Sequence, residues 1–584
     1  MAMTFVKLVQ AAIGAGSLDE PPESQLVPTT LLRHEVSDRE TNAEKSRIEI
    51  GKQEVPNDSV ETGTTTIEAV QKIWGNKGRS LIIIGEIDNS TVYIYRNYAS
   101  SEFGELSRIA ALSTAGTIIF AIAKPPIAKL SNVIDRGGTY LLAMSFYIVA
   151  YIVMSLAKNF NTYAAGSIFY SLGQSSTNLM NDIIIADLTT ARYRAFGIAL
   201  SFWPFLITPW IAAFIVDSVV APTGIGWRWG IGILAIIMPF CASFIATTLL
   251  YYQIRAQKEG VTSKKNISLY EFCSQIDFGG LILFSSGLAL LLIPMTLAAT
   301  TPSSWKTPWI DTLIALGVVL LIALPLYEQY LAKHPVVPPR YFNDRTIVLC
   351  CMLIAMDNIG FSATHTYIYS WATVARGLDA RDATFFTYTN GVTQCLIAII
   401  AGLAMAGTKR YKWVCVLGAT IRLVGYGVML RLRGSENSIV EIFVVQLVQG
   451  VGSGMVGSTL LIPAQTIVSH GEMPQITALV VCFAFVGSSI GSCIAGGIYT
   501  SMIETELSKV IGDLATAETV SALANSITTI VPYWGTPERT AVNFAFTEVT
   551  KYITYAAIGP SAIALIGAFF MPNYELPDKN NLVE

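Results

Sequence analysis

The sequence specifies an all-α membrane protein, and three observations require it. Of its 584 residues, 52% are hydrophobic and only 14% are charged, with a mean hydropathy of +0.51. Soluble domains carry about 25% charged residues. The apolar residues come in runs of about 20, the length at which a helix crosses a bilayer core. A membrane β-barrel shows alternating segments of about 10 residues instead. The net charge of −3 singles out no partner, and no basic patch suggests nucleic acid.

The elements follow in chain order. The opening "MAMTFVKLVQAAIGAGSLDE" lacks the basic region and long apolar run of a cleaved signal. Residues 16–66 are rich in Glu, Ser, Thr and Pro and have little to bury, so a disordered tail is expected. Ile67, Val70, Ile73 and Trp74 recur at helical spacing, which predicts a helix lying along the membrane surface. Fourteen spans then read out at roughly 80–98, 106–128, 139–157, 162–184, 195–219, 229–252, 277–299, 309–331, 346–371, 383–406, 412–430, 438–461, 474–502 and 551–571. The first is the weakest by hydropathy. The longest hydrophilic insert after the tail, 503–550, is expected to be partly helical and partly packed over the mouth of a pore.

An even number of spans places both termini on one side, expected to be the cytosol. Lys129 and Arg136, Arg192 and Arg194, and Lys409, Arg410 and Lys412 fall in loops of that side, as positive charge does. Arg376, Arg381, Arg431 and Arg433 fall in opposite loops and blur the contrast.

Polar residues inside spans are the candidate functional groups. A carboxylate at the bilayer centre costs at least ~2.5 kcal/mol, so it marks a cavity, a pair or a proton route. The first span contains Glu86, Asp88 and Asn89. Glu86 and Asp88 lie about 200° apart on a helix, so they do not share a face. Asp88 aligns with Thr91 and Tyr95, and Glu86 with Asn89 and Tyr93. The expectation is that Asp88 faces the substrate path. A desolvated carboxyl holds its proton to higher pH, which makes it a usable proton carrier.

Asp357 and Asn358 interrupt the ninth span, with His365 about 12 Å further along at 1.5 Å per residue. Arg422 interrupts the eleventh. These residues line a cavity, or Asp357 and Arg422 form a structural pair. Asp135, Arg136, Asp187, Arg192 and Arg194 sit at loop junctions and suit either a cytosolic gate or plain loop ion pairs. Aromatics including Tyr93, Trp203, Phe205, Trp210, Phe361, Tyr367, Tyr369 and Trp371 lie at similar depths and serve as core, interface belt or cavity wall.

Other motifs read as packing. "GSGMVG" (452–457) fits a dinucleotide-loop pattern but lies inside an apolar run without a preceding strand. It and "GSSIGSCIAGG" (487–497) space small residues for close helix approach. Pro204, Pro209 and Pro239 are expected to kink spans. Eight cysteines without a CxxC argue against a zinc site or disulfide framework. Four histidines, at 34, 334, 365 and 470, form no cluster for bare iron, and no cofactor is expected.

Five stretches together carry a family resemblance: "KPPIAKLSNVIDR" (124–136), "IIIADLTTARYRAF" (183–196), "WRWGIGILAIIMP" (227–239), "SHGEMPQITALVVCFAFVGSSIGSCIAGGIYT" (469–500) and "YWGTPERTAV" (533–542). The chain resembles the fourteen-span fungal siderophore–iron transporters of the major facilitator superfamily. It departs from the family-type K-L-S-D-x-x-G-R loop, with Asn132 at the acid position and Asp135 at the glycine position.

The resemblance implies two six-helix halves, 79–252 and 341–571, joined through 253–340 with two added spans, and flanked by tails 1–78 and 572–584. It implies a proton symporter importing ferric siderophore as a monomer in the lipid bilayer, in the plasma membrane or an endosomal membrane. An exporter or exchanger of drugs, glutathione or haem is the alternative. No enzymatic constellation is present.

Overall fold

A computed structural model describes residues 76–133, 135–188, 203–258, 269–298, 306–333, 335, 339–434, 437–468, 473–511, 516–528 and 532–575. The tail, the surface helix at 67–74, Arg192 and Arg194 lie outside these residues. No strand occurs among the described residues.

The chain runs through α1 (Asn76–Glu102), α2 (Ile109–Val133), α3 (Asp135–Ser155), α4 (Phe160–Leu188), α5 (Thr208–Val220) and α6 (Gly226–Lys258). A short α7 (Leu269–Gln275) precedes α8 (Phe278–Leu297) and α9 (Pro308–Tyr330). Then come α10 (Arg345–His365), α11 (Ile368–Val374), α12 (Ala380–Thr408), α13 (Lys412–Leu432), α14 (Ile439–Ile467), α15 (Met473–Ile511), α16 (Ala517–Asn525) and α17 (Pro537–Phe569).

Ten of the described helical segments are long and apolar enough to cross a membrane. The other four expected spans correspond to α1, α4, α5 and α6. Acids and amides dilute α1 and α4, while α5 and the apolar part of α6, Gly226–Phe240, are short. Outward faces carry exposed apolar side chains, such as Trp229, Ile236 and Phe240 on α6 and Val319 and Ile322 on α9. Water rejects such a surface and lipid accepts it. The chain is a multi-pass membrane protein.

Several boundaries differ from the sequence reading. Pro204 lies in a 3-10 turn (Trp203–Leu206) and Pro209 in the first turn of α5, so neither kinks a helix. Proline suits a first turn, where its missing N–H is not needed. Pro239 does sit inside α6. The ninth span is broken in two, α10 and α11, at Thr366 and Tyr367. The 503–550 insert is largely helical: α15 runs on to Ile511, α16 lies within it, and α17 starts at Pro537 behind a Thr536 cap.

Two bundles result. In the first, α3 packs on α4 and α6, α2 on α4, and α1 on α5 and α6; in the second, α10 packs on α14, α15 and α17, and α14 on α12 and α13. They meet along two seams, α2 against α15 and α5 against α12. The second helix of each bundle thus packs against the fifth of the other, as related halves require. The added pair α8–α9 packs together, with α8 beside α2 and α15.

Small residues set the tightest contacts. Gly487 and Gly491 of α15 lie against the Ala355 and Ile359 carbonyls of α10, leaving no room for a Cβ. Gly452 and Gly454 lie against α13 and α12 in the same way. Gly377 has φ +62° and sits under the Trp534 ring, so both its conformation and its contact exclude a side chain.

Candidate functional site: buried polar groups in two bundles

α1 turns three kinds of residue in three directions. Asp88 is buried, and its Oδ2 accepts a hydrogen bond from the Tyr170 hydroxyl of α4 at 3.0 Å. Tyr170 is in ring contact with Tyr147 and Tyr151 of α3, which stack at 5.7 Å. Asp88 therefore points into the first bundle, toward a cluster of tyrosines. Tyr95 packs on Gly230 of α6, also inside that bundle. Thr91 donates to the backbone carbonyls of Ile87 and Asp88.

The stripe that meets the second bundle is Ser90, Tyr93 and Asn97. The Ser90 carbonyl accepts from the Tyr388 hydroxyl at 2.8 Å, Tyr93 donates to the His365 carbonyl at 3.4 Å, and Ser370 donates to Asn97 Oδ1 at 3.5 Å. Asp88, Thr91 and Tyr95 lie on other sides of α1 than this stripe. At about 100° per residue, Asp88 lies about 160° round the helix from Ser90. Glu86, by backbone register, lies about 40° from Ser90. Asn89 takes a third direction and accepts from Gln174 of α4 at 2.6 Å.

The bundles are tied together where α1 ends. The Tyr98 and Tyr369 hydroxyls share a hydrogen bond at 2.9 Å, and Tyr367 donates to the Ser107 carbonyl at 2.9 Å. Tyr367 also stacks on Tyr499 of α15 at 4.0 Å. The end of α16 and the segment after it lie over this end: the Ile527 N–H donates to Ser101 Oγ at 3.0 Å and Ser107 N–H to Asn525 Oδ1 at 3.4 Å. Arg539, from the "YWGTPERTAV" stretch, stacks over Trp534 and donates to the Val374 carbonyl at 2.6 Å. Along the α2–α15 seam, Thr117 bonds Ser489 at 2.7 Å and Phe120 lies 5.0 Å from Phe485.

In the second bundle, Asp357 and Arg422 form the pair: Arg422 Nε donates to Asp357 Oδ1 at 2.8 Å, with side chains 9% and 2% exposed. The guanidinium also donates to the Gln449 carbonyl at 3.2 Å, between the Phe361 and Tyr426 rings. His365 stacks on Phe361 at 4.3 Å, and its Nδ1 lies 2.9 Å from the Phe361 carbonyl. A carbonyl only accepts, so Nδ1 carries the hydrogen.

Asp135 and Arg136 belong to the first turn of α3 and Asp187 to the last of α4, without described side chains.

Sequence reasoning passed over Tyr170, Gln174, Tyr388, Gln446 and Arg433. Gln446 and Gln449 stand out as amides in the apolar run "EIFVVQLVQG". An amide within a span marks a buried polar site as a charged group does. Arg433 reads as a loop cation but is 4% exposed. No group of three or more potential metal ligands occurs among the described residues.

This is a helical fold in two related bundles with buried polar groups in each, the build of a secondary transporter. Residues 81–492 match the Major Facilitator Superfamily. A siderophore iron transporter of Schizosaccharomyces pombe is 31% identical over 83% of this chain and 79% of its own length. A low affinity heme transporter of the same organism is 28% identical over 85% of this chain and 81% of its own. In fold, the chain is similar to a bacterial homologue of a human lysosomal transporter, Spinster, solved in an inward-facing, unoccupied conformation (TM-score 0.52, 12% identity, 88% of this chain and 97% of that one). The chain belongs to the siderophore–iron transporter family of the major facilitator superfamily.

Proposed function

We propose that the protein is a proton-coupled importer of ferric siderophore chelates that works by alternating access. The observation that carries the cargo class is the 31% identity to a siderophore iron transporter over most of both chains. Alternating access is supported by how the halves touch. At the α1 end the contacts are mainly hydroxyl hydrogen bonds and ring edges, as between Tyr98 and Tyr369 or Tyr93 and Tyr388. Such contacts are worth about 1 kcal/mol each and can be made and broken in a cycle. In this reading that end is the outer gate, both termini are cytosolic, and the protein acts as a monomer in the plasma membrane or an endosomal membrane.

Asp88 is the proposed proton site, held by a tyrosine hydroxyl inside the first bundle. Glu86 shares the helical register of the seam stripe and is the proposed acid of the cargo path. Asp135, Arg136, Asp187, Arg192 and Arg194 are the proposed cytosolic gate. Haem is a second cargo reading, favoured by the heme transporter relative.

The test is uptake of radioiron as a ferric hydroxamate, and of haem, in cells expressing the protein at two external pH values. Accumulation that rises at the lower pH supports the proposal. Asp88→Asn is expected to abolish the pH-driven part while surface expression and chelate binding persist. Full accumulation by that variant removes Asp88 from the coupling, and outward accumulation overturns the direction.

A further inference from the structure

A second cation lies buried in the α10–α17 bundle, and it is unlike Arg422. Arg433 follows the last turn of α13 and is 4% exposed. Its guanidinium lies over the rings of Trp371, at 5.6 Å, and Phe386, at 5.9 Å. Neither Nη1 nor Nη2 makes a hydrogen bond, and no ion pair to Arg433 occurs among the described residues. Aromatic faces offset part of the cost of burying a cation, up to about 2 kcal/mol. Burial of an unpaired ion costs several kcal/mol. Burial pushes the Arg433 guanidinium down to about 10, so it is still charged at neutral pH.

The surroundings share the same deficit. Trp371 Nε1 makes no hydrogen bond, nor does either end of the Gln446 amide, although both residues are buried. His365 lies beside Gln446 and within the field of Arg433. Its Nδ1 is used by the Phe361 carbonyl, so its Nε2 is an acceptor, and the Gln446 amide lies beside it. Polar atoms buried this deeply are normally satisfied. Here three side chains, from α11, α14 and the end of α13, leave donors unused, and one of the three is the cation itself.

We propose that Arg433, with Trp371 and Gln446, forms a receptor for a carboxylate. The two free nitrogens at the tip of a guanidinium form a planar fork that matches the two oxygens of a carboxylate. The indole and amide N–H groups supply further donors, and the Phe386 ring gives the ligand an apolar wall. Asp357 does not fill this role, because its described partner is Arg422. The carboxylate is either a free small acid or one carried by the cargo. The receptor stands on these contacts and requires neither iron nor a proton gradient.

The test is thermal unfolding of the purified full-length protein in detergent, titrated with benzoate and with its neutral isostere benzamide. Benzoate is expected to raise the melting temperature saturably, as a ligand of the native state does, and benzamide is not. Arg433→Gln is expected to weaken the benzoate effect by about tenfold or more, as loss of a charge-assisted pair does. Should that variant not fold, Arg433→Lys and Gln446→Leu are measured instead, and each is expected to weaken it. No benzoate effect in the wild type overturns the proposal. So does an equal effect in every variant that folds. A ferric chelate with a free carboxylate that displaces benzoate, where its methyl ester does not, assigns the site to cargo; displacement by neither assigns it to a free acid.

Discussion

Asp88 and Asp357 are both buried acids in helices of the same membrane protein, yet they are held differently. Asp357 is fixed by a guanidinium at 2.8 Å, itself anchored to the Gln449 carbonyl. Asp88 is held by a tyrosine hydroxyl at 3.0 Å amid stacked tyrosines. A cation holds a carboxylate in its ionised form, whereas a hydroxyl can serve the carboxylate as donor and the neutral acid as acceptor. The first arrangement suits a structural brace between α10 and α13. The second suits a group that gains and loses a proton. One rule, that an acid inside a span marks function, covers both and does not tell them apart.

The contrast can be broken from its strongest side. Asp357→Leu or Arg422→Met alone strands a buried charge and is expected to cost about 3–5 kcal/mol. Combining them removes both charges and is expected to recover most of that loss in thermal unfolding. A double variant as damaged as either single one removes the brace reading. Next, Tyr170→Phe takes a donor from a buried carboxylate and is expected to lower stability by about 1–3 kcal/mol.

Asp88→Asn keeps an acceptor for Tyr170, so its cost is expected to stay near 1 kcal/mol in the same assay. A loss as large as that of Asp357→Leu would make Asp88 a second brace. Glu86→Gln beside it sharpens the division within α1: a higher KM for chelate with intact pH dependence is expected there, against lost pH dependence for Asp88→Asn. The smallest effect is expected at the gate. Tyr98→Phe removes one hydroxyl pair, about 0.5–1.5 kcal/mol, and shifts the closed–open balance about 2- to 10-fold. Cysteine labelling at the α1 end reads that shift.

Much of the fold was legible because the bilayer imposes one simple constraint. A span must be about 20 residues and mostly apolar, and a chain that must satisfy every backbone group in lipid has little choice but helix. The sites where small residues meet were legible too: "GSGMVG" and "GSSIGSCIAGG" do bring α14 and α15 close to their neighbours. Breaks inside helices were harder. The interruption at Thr366 and Tyr367 and the 3-10 turn before α5 sit in stretches whose composition continues a span.

The buried polar groups were half legible. Depth in a span singled out Glu86, Asp88, Asp357, His365 and Arg422 as candidates, and the Asp357–Arg422 pair was one of two readings open. Spacing along α1 gave the angle between Glu86 and Asp88, because that angle is fixed by 3.6 residues per turn. It did not give the rotation of the helix. Only the packing of α1 on α4, α5, α6 and α12 fixed that rotation, turning Asp88 inward and Ser90, Tyr93 and Asn97 to the seam. Arg433 illustrates the same limit. By sequence it is a cation in a loop, and its burial over Trp371 and Phe386 depends on three segments distant in the chain. Periodicity and hydropathy are local properties, and they determined which residues form the spans. Rotation and partner choice depend on contacts between helices, and those the tertiary structure alone decided.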